Sequence, residues 1–251
     1  MKNPLKTSSL SFVSALTLAS VTYATEIPTG DISADASVVR AGQFPRLDWN
    51  ITYPGIDTLV DIQPDGEVVT KTDVEMQVRV LAADVQSRTT SFNRFTGRTT
   101  VSFSPVRVVS VGRINGGSFR LLFNDIQANV NPVAIPWQPN LEEGDRVSFA
   151  AQANFTGSVP YFSGQNSPNV LLLKDGDVPP TFTTWDTQST LGTHIAPYLD
   201  ETGAVDIGPR DVIVVFELTH VVDPNVVVDP DDPNGTPDFQ DMILLLTFQK
   251  N

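Results

Sequence analysis

The 251-residue sequence contains no cysteine, which excludes disulfide bonds, thiolate zinc sites and cysteine nucleophiles. Histidine is almost as scarce, because only His194 and His220 occur, and no third histidine or cysteine completes a zinc-ligand set. The Gly-x-Ser-x-Gly elbow of hydrolases and the glycine-rich loops that bind phosphates are also missing. We therefore predict no catalytic residue and no organic cofactor, and we expect a protein that is not an enzyme.

Basic residues are in short supply, with 16 Lys and Arg against 29 Asp and Glu and a net charge of −13. Such acidity disfavours nucleic acids and anionic membranes as partners, whereas it suits divalent cations. The imbalance is concentrated in residues 173–251, which hold 14 acids and 3 bases. Residues 211–249 contain eight acids and no Lys or Arg, so the cause of the acidity is to be sought there.

The first 24 residues have the pattern of a secretory signal peptide. Lys2 and Lys6 precede an apolar run, residues 10–24, that ends in the small-residue pattern Thr22-Tyr23-Ala24. The run is too short to span a bilayer, no later apolar run is long enough, and no cysteine near the expected cut offers lipid attachment. The sequence thus predicts a secreted, periplasmic or cell-surface protein. An exported chain without disulfides favours a bacterial source.

Strict alternation of apolar and polar residues dominates the rest of the chain. In residues 72–82, Val74, Met76, Val78 and Val80 fall on one face, which predicts a half-buried strand. Similar runs recur with turn residues between them, and the best helical candidate, residues 187–203, has room for one or two turns before Pro197. We predict an all-β fold of sandwich-like antiparallel sheets with little helix. It would form one large domain, or two closely packed ones at 25–100 and 101–251.

Two segments resemble known families. Residues 32–84 resemble bacterial Ig-like modules, on the basis of a small-residue strand, turns at Gly42 and Gly66, a Leu47-to-Trp49 strand and a final alternating strand. The resemblance implies a β-sandwich with the tryptophan in its core. Residues 212–249 resemble a secreted bacterial domain of unknown function, with matches at Phe216, Glu217, Asp238, Phe239 and Asp241. That second resemblance implies an extracellular β fold with a role for calcium.

The acidic hairpin of residues 212–248 is the candidate metal site. Glu217 stands in an apolar strand expected over residues 211–222, where a carboxylate needs an arginine, a metal ion or water as partner. If this strand pairs with residues 242–248, Asp238 and Asp241 would converge with Glu217. Calcium prefers several carboxylate oxygens on a loop, although the spacing here does not fit an EF-hand. The candidate ligands are Glu217, Asp229, Asp231, Asp232, Asn234, Asp238 and Asp241. The alternative is a solvated turn without an ion.

Two further groups of residues are open to more than one interpretation. Arginines between the two halves of the chain would form a solvated strand face or dock against the acidic C-terminal part: Arg79, Arg88, Arg94, Arg98, Arg107 and Arg113. Aromatic residues in loop-like surroundings would stack on sugars or pack as core under their own loops: Trp137, Tyr161, Phe162 and Trp185.

Taken together, the sequence predicts an exported, non-enzymatic structural, adhesive or extracellular-matrix protein. Its C-terminal hairpin would be stabilised by calcium. Its partners would be extracellular proteins or polysaccharides. A carbohydrate-binding module is the first alternative, and a secreted hydrolase is the second.

Overall fold

The computed structural model describes residues 55–182, 188–223, 225 and 237–250, together with the backbone of residues 29–35 and 46–52. The predicted signal peptide, residues 1–24, lies outside this part of the chain. In chain order the strands are β1 (Thr29–Asp35), β2 (Arg46–Thr52), β3 (Val60–Ile62), β4 (Val68–Thr70), β5 (Val74–Ala82), β6 (Val85–Asn93), β7 (Arg98–Val106), β8 (Val108–Ile114), β9 (Arg120–Asp125), β10 (Asn140–Leu141), β11 (Arg146–Ala153), β12 (Tyr161–Phe162), β13 (Val170–Leu173), β14 (Asp211–Phe216) and β15 (Met242–Lys250). The helices are α1 (Ile56–Leu59) and α2 (Leu191–His194), with 3₁₀ turns at Gln127–Asn129 and Ala196–Tyr198. The predicted all-β fold with little helix is confirmed.

Two antiparallel sheets form a sandwich. One has the strand order β10-β5-β15-β14-β13, and the other has the order β3-β4-β11-β8-β9 with β12 paired to β11. The predicted inward face of β5 is buried in the main hydrophobic core, which also takes Phe149 from β11 in the opposite sheet. Alternating burial along β5 follows from its period-two sequence, because successive side chains point to opposite faces.

Strands β14 and β15 are buried on both faces. Val214 and Phe216 enter the main core, whereas Ile213 and Val215 enter a second core on the opposite face of the sheet. The second core is covered by residues 191–207, with Leu191, Ile195, Val205 and Ile207 among its members. Burial on both sides explains why residues 212–216 of β14 and 242–246 of β15 are apolar without alternation.

The strand predicted over residues 211–222 is shorter than expected, because β14 ends at Phe216. The N–H groups of Leu218, Thr219 and His220 donate to the carboxylates of Glu217 and Asp241 and not to a neighbouring strand. Side-chain acceptors have thus replaced the sheet ladder and turned the backbone. Glu217 lies one residue beyond the end of the strand and not in its middle.

Strands β6 and β7 form a hairpin apart from both sheets, and residues 90–100, polar and ambiguous in sequence, make up its far end. The domain boundary expected near residue 100 lies inside β7, and strands from both sides of it contribute to the main core. The division into two β parts stays a prediction. No helix within the described residues is long and apolar enough to cross a membrane.

Candidate metal centre

Three carboxylates meet at the end of the β14–β15 hairpin. Glu217, Asp238 and Asp241 each place one carboxylate oxygen within 4.8 Å of the others. Glu217 and Asp241 are 0% and 1% exposed, and Asp238 is half-buried. Glu217 follows the last residue of β14, and Asp241 precedes the first residue of β15. The pairing of Phe216 with Met242 therefore fixes these two residues next to each other.

The Glu217 carboxylate organises the backbone around it. Its Oε1 atom accepts hydrogen bonds from Thr219 N at 2.9 Å, Thr219 Oγ1 at 2.8 Å and His220 N at 2.8 Å. Its Oε2 atom accepts from Asp238 N at 2.7 Å and Phe239 N at 3.2 Å. A carboxylate has about four lone-pair sites, so the hydrogen-bonding capacity of Glu217 is fully used.

Each of the two aspartates has one carboxylate oxygen that accepts hydrogen bonds and one that does not. Asp241 Oδ2 accepts from Leu218 N at 2.6 Å and Thr219 N at 3.0 Å, and Asp238 Oδ2 accepts from Gln240 Nε2 at 3.0 Å. Their Oδ1 atoms, and the Oε1 atom of the fully buried Gln240, are buried without a hydrogen-bond partner. Buried polar atoms are normally hydrogen-bonded, so the two aspartate Oδ1 atoms are the oxygens of this cluster that could bind an ion.

Asn169 holds the segment after β14 in place. Its Nδ2 group donates to Glu217 O at 2.9 Å and to His220 O at 2.6 Å. Its Oδ1 atom accepts from Val222 N at 3.2 Å, and its carbonyl accepts from Glu217 N at 2.9 Å. This residue was not among the predicted site residues, because nothing in its sequence neighbourhood shows that it faces a loop about 50 positions later.

Phe239 adopts a backbone conformation that is rare for a residue with a side chain, with φ at 55°. Its N–H group donates to Glu217, while its ring is buried in the second core and stacks on Phe182 at 6.3 Å. Such a conformation costs on the order of 1–3 kcal/mol and persists where the surroundings over-determine it. Here the ring and the N–H group together fix the backbone between Asp238 and Asp241.

The three carboxyl groups differ in pKa. Burial of Glu217 opposes ionisation, but hydrogen bonds from His220 and Thr219, and the charge of His220, lower its pKa to about 2. Burial and the nearby Glu217 charge raise the pKa of Asp238 to about 8. Burial, and then the charges of Glu217 and Asp238, raise the pKa of Asp241 well above its ordinary value. Glu217 is therefore the fixed anion, and the aspartates need a compensating cation or protons.

Three of the seven predicted ligands are thus brought together. The other four, Asp229, Asp231, Asp232 and Asn234, lie outside the described residues and stay a prediction. The two histidines do not share a site: His220 Nδ1 is 3.4 Å from Glu217 Oε1, and His194 Nε2 is 3.3 Å from Asp84 Oδ2.

The aromatic residues considered for sugar binding are placed as follows. Trp137 is half-buried, makes an edge contact with Phe149 at 6.3 Å and covers Gly112 so closely that a β-carbon there would lie 2.4 Å from its ring. Tyr161 and Phe162 are half-buried in β12, and Trp185 lies outside the described residues. Trp137 therefore packs against the sandwich.

Comparison with known proteins adds no relative: no protein family, no curated protein and no solved structure matches this chain.

Proposed function

We propose that this chain is an extracellular structural or adhesive β-sandwich protein whose C-terminal hairpin is closed by a divalent cation, with calcium as the ion. The observation that carries the proposal is the pair of unpartnered, buried Oδ1 atoms of Asp238 and Asp241 beside the ionised Glu217. An ion between them would join the two ends of the loop that links β14 to β15. The resemblance of residues 212–249 to a secreted bacterial domain agrees with this role.

Charge balance supports a cation at this position. Among the residues that the structure describes, His220 is a basic side chain at the triad, with Nδ1 3.4 Å from Glu217 Oε1, and its charge lowers the pKa of Asp238 only in part. Three carboxylates in one buried site repel one another strongly, because the local dielectric is low. A dication offsets two of those charges, whereas protons would have to neutralise both aspartates.

Calcium fits the site better than magnesium. Ca²⁺ binds oxygens at about 2.3–2.6 Å in flexible geometry, so ligands on opposite sides of one ion stand up to about 5 Å apart. The three carboxylate oxygens lie within 4.8 Å of one another, close enough for one such ion to reach them. Mg²⁺ needs about 2.0–2.1 Å and releases its water reluctantly, which disfavours a site as buried as this one. Asp238 and Asp241 would be the direct ligands, and Glu217, whose lone pairs are taken up by five hydrogen bonds, would be the supporting charge.

Calcium is expected to stabilise the protein, and Asp241→Asn is expected to abolish that effect. An ion that binds only the folded state adds about 2.7 kcal/mol at 100 times its Kd. Asparagine keeps an oxygen for the N–H groups of Leu218 and Thr219, so stability in chelator should change by less than about 1 kcal/mol. The measurement is thermal unfolding of both proteins with calcium and with chelator.

Asp206→Asn is the matched control, because it removes one exposed carboxylate from the same acidic third of the chain. It should keep the full calcium response, which separates binding at the triad from general screening of a negative protein. An unchanged melting temperature of the parent in chelator, or a calcium shift that survives Asp241→Asn, would refute the metal site.

The stability of the ion-free protein is expected to depend on pH in two directions. Glu217 has a folded pKa of about 2, below its ordinary 4.5, so its contribution is full above pH 4.5 and is lost as the pH falls towards 2. Asp238 has a folded pKa of about 8, above its ordinary 3.8, so its contribution is full below pH 3.8 and is lost as the pH rises to 8. Denaturant titrations in chelator should therefore show stability falling from about pH 5 to pH 8. Calcium should reverse that fall, and an equal loss of stability with and without calcium would contradict the assignment.

A further inference from the structure

The β6–β7 arm, residues 86–105, projects from the sandwich with both faces exposed. Eight residue pairs join its strands, and at about 3.4 Å per residue they extend about 27 Å. Beyond Val85 and before Val106 its side chains are exposed or half-buried, so neither face of the arm lies under another element. A two-stranded ribbon by itself is marginally stable in water, which makes an arm of this length costly without a partner.

The far end of the arm presents an aromatic ring to solvent. Asn93 Oδ1 accepts hydrogen bonds from Phe95 N at 2.9 Å and Thr96 N at 3.2 Å, and Gly97 closes the turn with φ at 67°. This turn leaves Phe95 fully exposed, and Phe92 nearby is 62% exposed. Exposed apolar side chains grouped on one projecting element mark an interaction surface.

The charge of the arm is opposite to that of the rest of the chain. Residues 86–105 contain Arg88, Arg94 and Arg98 and no acidic residue, in a protein whose net charge is −13. Two arms would repel each other if they paired side by side, because each carries three positive charges. The arm therefore complements an acidic surface such as the body of this same protein.

A partly apolar cleft lies where the outer strands of the two sheets, β3 and β13, come together. It has a volume of about 440 Å³, within the usual range of about 300–1,000 Å³ for ligand pockets. Ile62, Leu171 and Leu172 provide its apolar wall, and Asp65 is the charged residue among those that line it. Asp61 on β3 is exposed and accepts a hydrogen bond from the lining residue Gln63. The cleft thus offers an apolar slot with a negative rim.

We propose that the arm of one copy docks in this cleft of a second copy, with Phe95 in the apolar slot and Arg94 and Arg98 against Asp61 and Asp65. The two surfaces are different parts of the same chain, so the contact is head-to-tail and each copy can donate an arm and accept one. Such contacts build open chains unless the rotation closes them into a ring. Docking of the arm does not require an ion at the triad.

The test mixes two variants of the full chain. Phe95→Asp removes the arm's anchor but keeps the cleft, and Ser167→Trp fills the rim of the cleft but keeps the arm. By analytical ultracentrifugation, the parent should form oligomers that grow with concentration and shrink with salt, since exposed ion pairs are screened. Each variant alone should be monomeric, and an equimolar mixture should stop at a dimer of one copy of each.

Two further variants test whether the loss of association is specific to the arm and the cleft. Val133→Asp places the same charge at another exposed apolar residue and should associate like the parent. Asp61→Arg should block the cleft through charge alone, without adding bulk near the core. A parent that stays monomeric at millimolar concentration overturns the proposal. So does association that survives Phe95→Asp, or a mixture of the two variants that fails to form the dimer.

Discussion

Glu217→Ala is expected to lower the free energy of unfolding by about 4 kcal/mol or more, a large share of the roughly 5–15 kcal/mol that folded domains have. The side chain is fully buried and accepts five hydrogen bonds from Thr219, His220, Asp238 and Phe239. Leaving a buried donor without its acceptor costs about 1–3 kcal/mol, and some relief comes from the reduced repulsion on the two aspartates. The loop after β14 and the approach to β15 lose their shared anchor together.

Glu217→Gln is expected to be nearly as damaging, although the side chain has the same shape. Both carboxylate oxygens face backbone N–H groups, so the amide must point its NH₂ group at one of the two sets of donors. Urea unfolding of both variants, analysed at constant slope, measures the loss. Glu201→Gln removes an exposed carboxylate and should change stability by less than about 0.5 kcal/mol. A Glu217→Gln variant as stable as the parent would show that these hydrogen bonds do not hold the loop.

Asn169→Asp is expected to cost about 3 kcal/mol at neutral pH, again without a change of shape. The Asn169 NH₂ group faces the carbonyl oxygens of Glu217 and His220, and a carboxylate there would present an anion to two acceptors. Both carbonyl groups would lose their donor inside the protein, at about 1–3 kcal/mol each. Part of the loss should be recovered at low pH, because a protonated carboxyl group can donate to one of the two oxygens.

Asn166→Asp is the control, since Asn166 is exposed and only three residues away. Its unfolding free energy should stay within about 0.5 kcal/mol of the parent at the same pH. Equal losses for the two variants would mean that the Asn169 amide is not the clamp on residues 217–222.

The alternating patterns predicted the all-β class because a period of two is a local property of each strand. The burial of one face of β5 was predictable from the alternation of Val74, Met76, Val78 and Val80 with polar residues. The arm was not predictable in the same way. Its residues, including Phe92, Phe95 and Val101, have the β-forming character of a core strand, and nothing local indicates that no second sheet covers them.

Only part of the candidate site was predictable from the sequence. The pairing of two apolar strands as a hairpin implied that Glu217 and Asp241 would lie near each other, since the two ends of a hairpin loop meet where its strands pair. The five donors around Glu217, the clamp from Asn169 and the left-handed conformation of Phe239 depend on distant contacts. A single sequence does not contain the pairing of positions such as Asn169 and His220.

The position of β15 between β5 and β14 also determines how this protein folds. Its pairing with β5 joins Val74 to Lys250 and Ala82 to Ile243, so the centre of the sheet forms only after nearly the whole intervening chain has been brought together. Contacts this distant in sequence slow folding, because the chain loses loop-closure entropy before the contacts of the core form and compensate for it. A chain that folds slowly stays unfolded for longer, which would favour its passage through a translocation pore if it is exported as proposed.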